Sequence, residues 1–597
     1  MAAHTVSRIW NPICLFLALI LVVGAEGRVC ADSYKLEQTG VAGGYGEAGG
    51  DMDMLDLISG NAVELRLYQT ANGGAGGYGD DAAVAGDGGF ARSILTGLYL
   101  GEDYTYYETN AKGGAGGYRK SSSSASGGDG GNAVAGLQLV GDGDVSGSAT
   151  ATGGSGGYAY KTGNGGNGGS ATLETVYGAS TSGGTVNLDA TVKGGSGGAA
   201  NGSGNGGEGA SESLVNAVDG DSTKTIRLNQ TATAGSGGSS SKGKGGAGGS
   251  AESRLSASKD SSYLWVWASA TAGSGGYSYY GDGGDGGDAI ALSEATNTGT
   301  SYSVSTAKGG GGGAAYTGGA AGDGGYGSAY ATGTGESDAS VSGGSGGYAR
   351  GGGDAGDGGS ADAYAWGAIA WAYANGGSGG SADDGGAGGK GGNAVAISEG
   401  KGRDSYSSAD GGDGGDSEDG DGGNGGSAVA TASHTRTGSS VSVSAVAYGG
   451  DAGVSSSGSG KNGKSGDALA TATGEAASGN VYATAVSKNS GSGFSVTAKT
   501  SAPVRNNIAS TAKASANIDG SIKGLADAQG LQAAAFGTAL PSGSDLEALV
   551  AANSNVQSAF GDGSVFVGYG VLGGSASGDD SMTISSSLKF NFTINDS

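Results

Sequence analysis

Runs of the form GGxGG, or close variants of it, open at residues 43, 73, 113, 153, 194, 234, 272, 309, 343, 376, 411 and 449, at intervals of 30 to 41 residues. Repetition at this period marks a stacked array, in which each unit buries its apolar face against its neighbours. Within a unit the order is constant: an opener, a variable polar loop, a second glycine run such as GNGGNGGS (163–170), an alternating stretch, a turn, a returning stretch and the next opener. With 139 glycines but only 3 prolines, a collagen triple helix is excluded.

Glycines in Gly-Gly-X triplets suit a three-residue helix of the polyproline-II type, with every X on one edge and two edges bare. Without a Cβ such backbones approach closely enough to hydrogen-bond laterally. Fixing a glycine costs roughly 0.5–1 kcal/mol relative to alanine, against a net gain of about 1 kcal/mol per backbone hydrogen bond. The units are therefore expected to be ordered together or not at all. The expected fold is an all-β repeat array of long antiparallel hairpins, each with a polyglycine-II bundle zone at one end and a β-sheet zone at the other. In YAWGAIAWAY (364–373), a turn at Ala368 and Ile369 would pair Trp366 with Trp371 and Tyr364 with Tyr373, four aromatics on one face. In YLWVWASATA (263–272), Tyr263, Trp265 and Trp267 alternate with Leu264, Val266 and Ala268, and an aromatic stripe of this kind reads as core.

The chain divides into three segments. Residues 1–31 read as a secretory signal peptide, with Arg8, an apolar run from Ile13 to Val23 and small residues suited to cleavage after Ala25 or Ala31. Residues 32–502 hold the glycine-rich array of about twelve units. Beyond the last triplets, 503–597 reads as a mixed α/β cap or assembly segment: DGSIKGLADAQGLQAAAFGTAL and SGSDLEALVAANSNVQSAF carry helix-like spacing, and SVFVGYGVLGG and SMTISSSLKFNFTI read as strands.

Little here suggests catalysis. After signal removal one histidine remains, His434, read as an exposed surface residue in TASHTRTG, and at most one cysteine, Cys30; zinc sites, thiol catalysis and internal disulfides are thereby excluded within one chain. A net charge of −26 disfavours nucleic acid and anionic membranes. GGDGGDAIA (283–291) matches the nonapeptide of calcium-binding RTX repeats, which makes Asp285 and Asp288 the candidate calcium ligands, although the match does not recur.

GGAGGY, GGNGGSAT and the tail GLQAAAFGTALPSGSDLEALVAANSNVQSAF resemble bacterial secreted glycine-rich repeat proteins. The triplets are also similar to those of polyglycine-II proteins, namely phage tail-fibre tip adhesins and snow-flea antifreeze proteins. The first resemblance implies a secreted surface protein; the second implies adhesion through variable loops, or ice binding. The residues and resemblances together lead us to expect a secreted, non-enzymatic structural or adhesive protein of the cell surface or extracellular matrix. It would associate with itself or with surface and matrix components and would not contact membrane once the signal is removed. The alternative is a soluble calcium- or ice-binding module.

Overall fold

The computed structural model describes residues 32–502 apart from 57–63, 81–82, 99–103, 120–124, 437–440, 458, 477–480 and 489–493, together with strands at Ser510–Asp519, Leu531–Gly537, Gly568–Tyr569 and Met582–Phe590. The expected hairpin array is corrected: the chain is a β-solenoid of two facing walls. One wall is a 15-stranded sheet that begins at Asp32–Thr39 and Glu64–Asn72 and ends at Met582–Phe590. The other is built from a five-stranded and then an 11-stranded sheet.

The two strands of one unit do not pair with each other. Ala361–Gly367 pairs in parallel with Gly327–Gly333 and Ala394–Gly400 in the second wall, while Ile369–Asn375 pairs in parallel with Glu336–Ser342 and Asp404–Asp410 in the first. The turn at Ala368 carries the chain from wall to wall. The physical reason lies in burial. A hairpin would leave one face of each ribbon uncovered, whereas opposite walls let Ala361, Ala363 and Ala365 meet Ala370, Ala372 and Ala374 in a common interior, all fully buried. The period of 30 to 41 residues supplies the long connection that parallel pairing requires. Alternation then sends Tyr364 and Trp366 outward on one wall and Trp371 and Tyr373 outward on the other, so the four aromatics do not share a face.

The glycine runs are likewise not a separate bundle. Each continues its wall in line with a strand, and in the second runs the three amides of a triplet can have three separate destinations. In the triplet Gly127-Gly128-Asp129, Gly127 N–H donates to Asn164 O of the next turn (2.9 Å), and Gly128 N–H crosses to Gly117 O in the facing wall (3.0 Å). Asp129 N–H donates to Asp87 Oδ1 of the preceding turn (2.8 Å). The crossing bonds form a continuous zigzag up the interior: Gly86 to Gly77, Gly117 to Gly86, Gly128 to Gly117, Gly157 to Gly128 and onward to Gly463 on Gly453. A second zigzag runs beside it through Gly114, Gly131, Gly154 and Gly169. The walls touch directly here, and a Cβ on Gly116 would stand 2.0 Å from Gly128 O of the facing wall.

The side-chain half of the interior changes along the axis. Leu65, Leu67, Leu95, Leu137, Leu139 and Leu188 fill the early turns, and alanines and serines the later ones, where strands shorten to 7 residues. Buried serines satisfy one another: Ser293 Oγ lies 2.7 Å from Ser303 Oγ, and Ser398 Oγ 2.7 Å from Ser405 Oγ. His434 corrects its surface reading. It is 1% exposed and paired in register with Gly400 and Gly474, and a Cβ on Gly400 would stand 2.6 Å from the imidazole Cδ2, so the missing side chain there makes room for the ring.

The second wall breaks where Glu212–Val215 pairs forward with Ala251–Lys259 while Val218–Asp221 pairs back with Ala171–Ser180. Asn216, with φ of 48°, makes the kink between them. Two interior side chains seal the break. Gln230 donates to Leu214 O (3.0 Å) and Arg254 O (3.1 Å) and accepts from Ala217 N–H (2.8 Å); Glu212 Oε1 accepts from Ala171 N–H (2.9 Å). Gln69 plays the same part at Met54 O and Ile94 O, beside Asp56 with φ of 46°. Burial pushes the Glu212 carboxyl up to about 8.

Among the described residues there is no α-helix, which corrects the expected α/β ending: Leu531–Gly537, within the first helix-like stretch, is a strand paired in parallel with Phe494–Ala502. This pairing outweighs local helical spacing. The second helix-like stretch, 542–560, lies outside the described residues, as does the signal segment. The one pairing of Met582–Phe590 is antiparallel, against Ser510–Asp519.

Two predictions follow from the interior. Gly310→Ala, whose Cβ would meet Gly273 O at 1.9 Å, should cost more than about 3 kcal/mol in denaturant unfolding, whereas Gly311→Ala, with nothing nearer than 3.5 Å, should be neutral or slightly stabilising. For Glu212, a folded pKa above the unfolded value means the folded chain holds a proton that the unfolded chain releases. Stability should therefore fall as pH rises from about 4.5 to about 8, and Glu212→Gln should remove a penalty on the order of a few kcal/mol, read as a Tm gain at pH 8 that vanishes near pH 4.

Candidate functional site: an aromatic and carboxylate face

All four tryptophans within the described residues, Trp265, Trp267, Trp366 and Trp371, lie on outer faces. The inference that an aromatic stripe is core is thus reversed, because an interior that narrows to alanine and to directly bonded glycine walls has no volume for indoles. Tyr107 is an exception, buried over Gly97, where a Cβ would stand 2.2 Å from its ring.

The first wall carries the densest arrangement. Tyr263, Trp265 and Trp267, 49%, 39% and 48% exposed, point outward along Tyr263–Thr271. Trp265 stacks on Tyr302 of the next strand, with centroids 4.0 Å apart and planes at 17°. Across the turns the register sets Trp267, Val304, Asp338, Trp371 and Tyr406 in one row. At about 4.8 Å per strand the two indoles of that row stand about 14 Å apart, with Val304 and Asp338 between them. Tyr302, Glu336 and Ile369 form the row on one side; Thr306, Ser340 and Tyr373 form the row on the other. Tyr373 and Tyr406 are in ring contact at 5.4 Å.

Asp338 is the polar centre of this face. Its Oδ1 is buried and has no hydrogen-bond partner. Burial, with the Glu336 charge as a smaller contribution, raises its carboxyl to about 6. Burial and the field of Asp338 in turn push the Tyr373 hydroxyl upward. A partly desolvated carboxylate among aromatic rings is a recognition element for hydrogen-bond donors and for cations. Sequence reasoning missed it. The available signal was ESDASVS (336–342), which sets two carboxylates on alternating positions between aromatic-bearing strands; the turn-to-turn register that brings them together was not legible.

The second wall has its own cluster, in which Trp366 packs on Tyr330 at 4.6 Å and on Tyr364 at 5.9 Å and donates from Nε1 to Glu399 Oε2 (3.2 Å). At the end of the solenoid where loops join the glycine runs, Tyr277, Tyr279, Tyr316 and Tyr348 form a chain of ring contacts.

Asp285 and Asp288, the calcium candidates, lie on the outer edge of a second glycine run, one triplet apart, about 9 Å along the extended chain. Each carboxylate has a backbone partner: Asp285 Oδ1 accepts from Asp323 N–H (3.2 Å) and Asp288 Oδ1 from Tyr326 N–H (2.8 Å). Lys244 Nζ lies 3.4 Å from Asp285 Oδ2. The same bond recurs from Asp357 N–H to Asp323 Oδ1 (2.8 Å) and from Lys390 N–H to Asp357 Oδ1 (2.7 Å). Aspartate and asparagine at X thus serve the outward amide that the triplet geometry leaves over. Among the described residues no three His, Cys, Asp or Glu side chains are grouped as a metal site.

Comparison with protein-family models, curated proteins and solved structures gives no match for this chain. The outer face therefore has to be interpreted on its own chemistry.

Asp323→Ala, which strips the acceptor from Asp357 N–H, should lower stability by about 1 kcal/mol, and Asp323→Asn, which keeps Oδ1, should restore most of it. Paired thermal melts of the two variants check this.

Proposed function

We propose that this protein is an exported, non-enzymatic scaffold whose rigid walls present side-chain rows for adhesion at a cell surface or within an extracellular matrix. The observation that carries the reading is the outward display of aromatic residues over an alanine interior: large apolar side chains held at fixed spacing on a flat sheet are a contact surface. Regular turns hold the rows rigid, so little ordering entropy is lost on contact. Self-association belongs to the same reading, through the backbone edge of Asp32–Thr39, the terminal strand of the long sheet.

A second reading, ice binding, draws on one column of the same wall. Thr150, Thr191, Thr231, Ser269, Thr306 and Ser340 stand side by side in register, a row of hydroxyls on a flat sheet. The neighbouring column is broken by Lys193 and Lys308. Thermal hysteresis at millimolar protein that disappears in Thr231→Leu would favour this reading over the first.

For the scaffold reading, a Trp265→Ser/Trp267→Ser double variant should keep its melting temperature and lose several-fold in retention on isolated cell-wall or matrix material. Unchanged retention would remove the aromatic face from the account. Electron microscopy showing only monomers at high concentration would remove self-association.

A further inference from the structure

From the geometry of the first wall we infer a binding site for an organic ammonium group at Asp338, walled by Trp371, Tyr373 and Tyr302. The site stands apart from the scaffold reading, since a chain that adheres to nothing could still hold a small cation there.

Three observations carry it. Asp338 alternates outward between Val304 and Trp371 in register, so its strand neighbours on that face are an aliphatic and an indole side chain. Its Oδ1 is shut off from water without a hydrogen-bond partner, and among the described residues it has no ion pair, which leaves a carboxylate whose charge nothing nearby offsets. Aromatic residues stand on the same outward side in both adjacent strands, Trp371 and Tyr373 in one and Tyr302 in the other, within reach of a cation that the carboxylate attracts. The partner has to be cationic because the charge nearest Asp338 on its own strand is another carboxylate, Glu336. A neutral sugar would leave that repulsion in place, and an anion would increase it.

The groups that face the site set its pH dependence. They are Glu336 on the same strand, Tyr302 and Lys308 on Thr300–Lys308, and Tyr373 on Ile369–Asn375; one strand further on, Arg403 is bonded to Asp404 at 2.8 Å. An ammonium ligand binds the ionised form, so affinity should rise through about pH 6 and the ligand should displace a proton.

The ammonium group has two sources, a small free cation or the amines of a deacetylated amino-sugar polymer. The row from Trp267 to Trp371 accommodates the second as well, because it continues for about 14 Å across consecutive strands.

The test is tryptophan fluorescence and calorimetry on the full secreted chain at pH 7.5, with tetramethylammonium chloride, glucosamine oligomers and N-acetylglucosamine oligomers as probes, and potassium chloride at matched ionic strength. Saturable binding of the first two, absent for the acetylated oligomer and the salt, is expected. Affinity should fall at least tenfold at pH 4.5 and at least tenfold in Asp338→Asn, and should survive in Asp410→Asn, which removes a carboxylate elsewhere on the face. Binding that strengthens from tetramethylammonium to the glucosamine oligomer assigns the polymer; equal binding assigns the free cation, and both uphold the site. Trp371→Leu provides a second variant should Asp338→Asn fail to fold, and it should weaken the amines alone. Equal binding of the acetylated oligomer, undiminished binding in Asp338→Asn, or no saturable binding would overturn the inference.

Discussion

The structure depends on one interaction, the amide-to-carbonyl bond that crosses directly from wall to wall between glycines. Gly114 on Gly89, Gly131 on Gly114 and Gly154 on Gly131 belong to a ladder in which alternate rungs close one turn and join it to the next. A β-solenoid ordinarily keeps its walls apart with side chains. Here half of each turn has none, so main-chain hydrogen bonds take the place of a hydrophobic core. A hydrogen bond is directional and short, so the walls cannot slide or spread without breaking many of them together. The entropic cost of so many ordered glycines is offset by the two glycine amides of each triplet, one bonded to the next turn and one across, and in second runs such as Gly127-Gly128-Asp129 also by the third amide on a neighbour's side chain.

That geometry dictates the chemistry on both sides of the wall. Inside, the space beyond the glycine ladders is shallow, and the interior changes from leucine to alanine and serine as strands shorten toward the middle of the chain. Outside, the bulky residues that the interior cannot hold are displayed in rows. The same economy explains the acidic X positions: Asp285, Asp323 and Asp357 are acceptors in a hydrogen-bonded column as well as solvated charges. Where the second wall is interrupted at Asn216, the interior becomes polar, and Gln230 and Glu212 stand in for backbone groups that the break leaves unpaired.

The strand halves were legible in part. The alternation of Tyr263, Trp265 and Trp267 with Leu264, Val266 and Ala268 was read correctly as two faces, and Leu264 and Val266 are buried. Which face would be inside was inverted, because residue size normally predicts burial and here the interior is too thin for size to win. His434 went the other way: a polar loop-like context suggested the surface, but the glycine at 400 in the adjacent turn opens a space that no local pattern reveals. At Leu531–Gly537 helical spacing lost to parallel pairing with the strand before it. The candidate site was the least legible part, since Trp267, Asp338 and Trp371 are more than thirty residues apart from one to the next and meet only through the stacking register.

The sequence by itself determined that the chain is a repeating array, where the strands of the glycine-rich units lie, and where backbones come close, since triplet spacing and period-two alternation are local properties of the chain. Only the tertiary structure decided that strands pair with the next turn and not within their own unit. It also decided which side of each strand is interior and which distant residues share a row. Those choices depend on the distance between walls, and that distance is set by a ladder of glycine hydrogen bonds that runs through every turn and is complete in no single repeat.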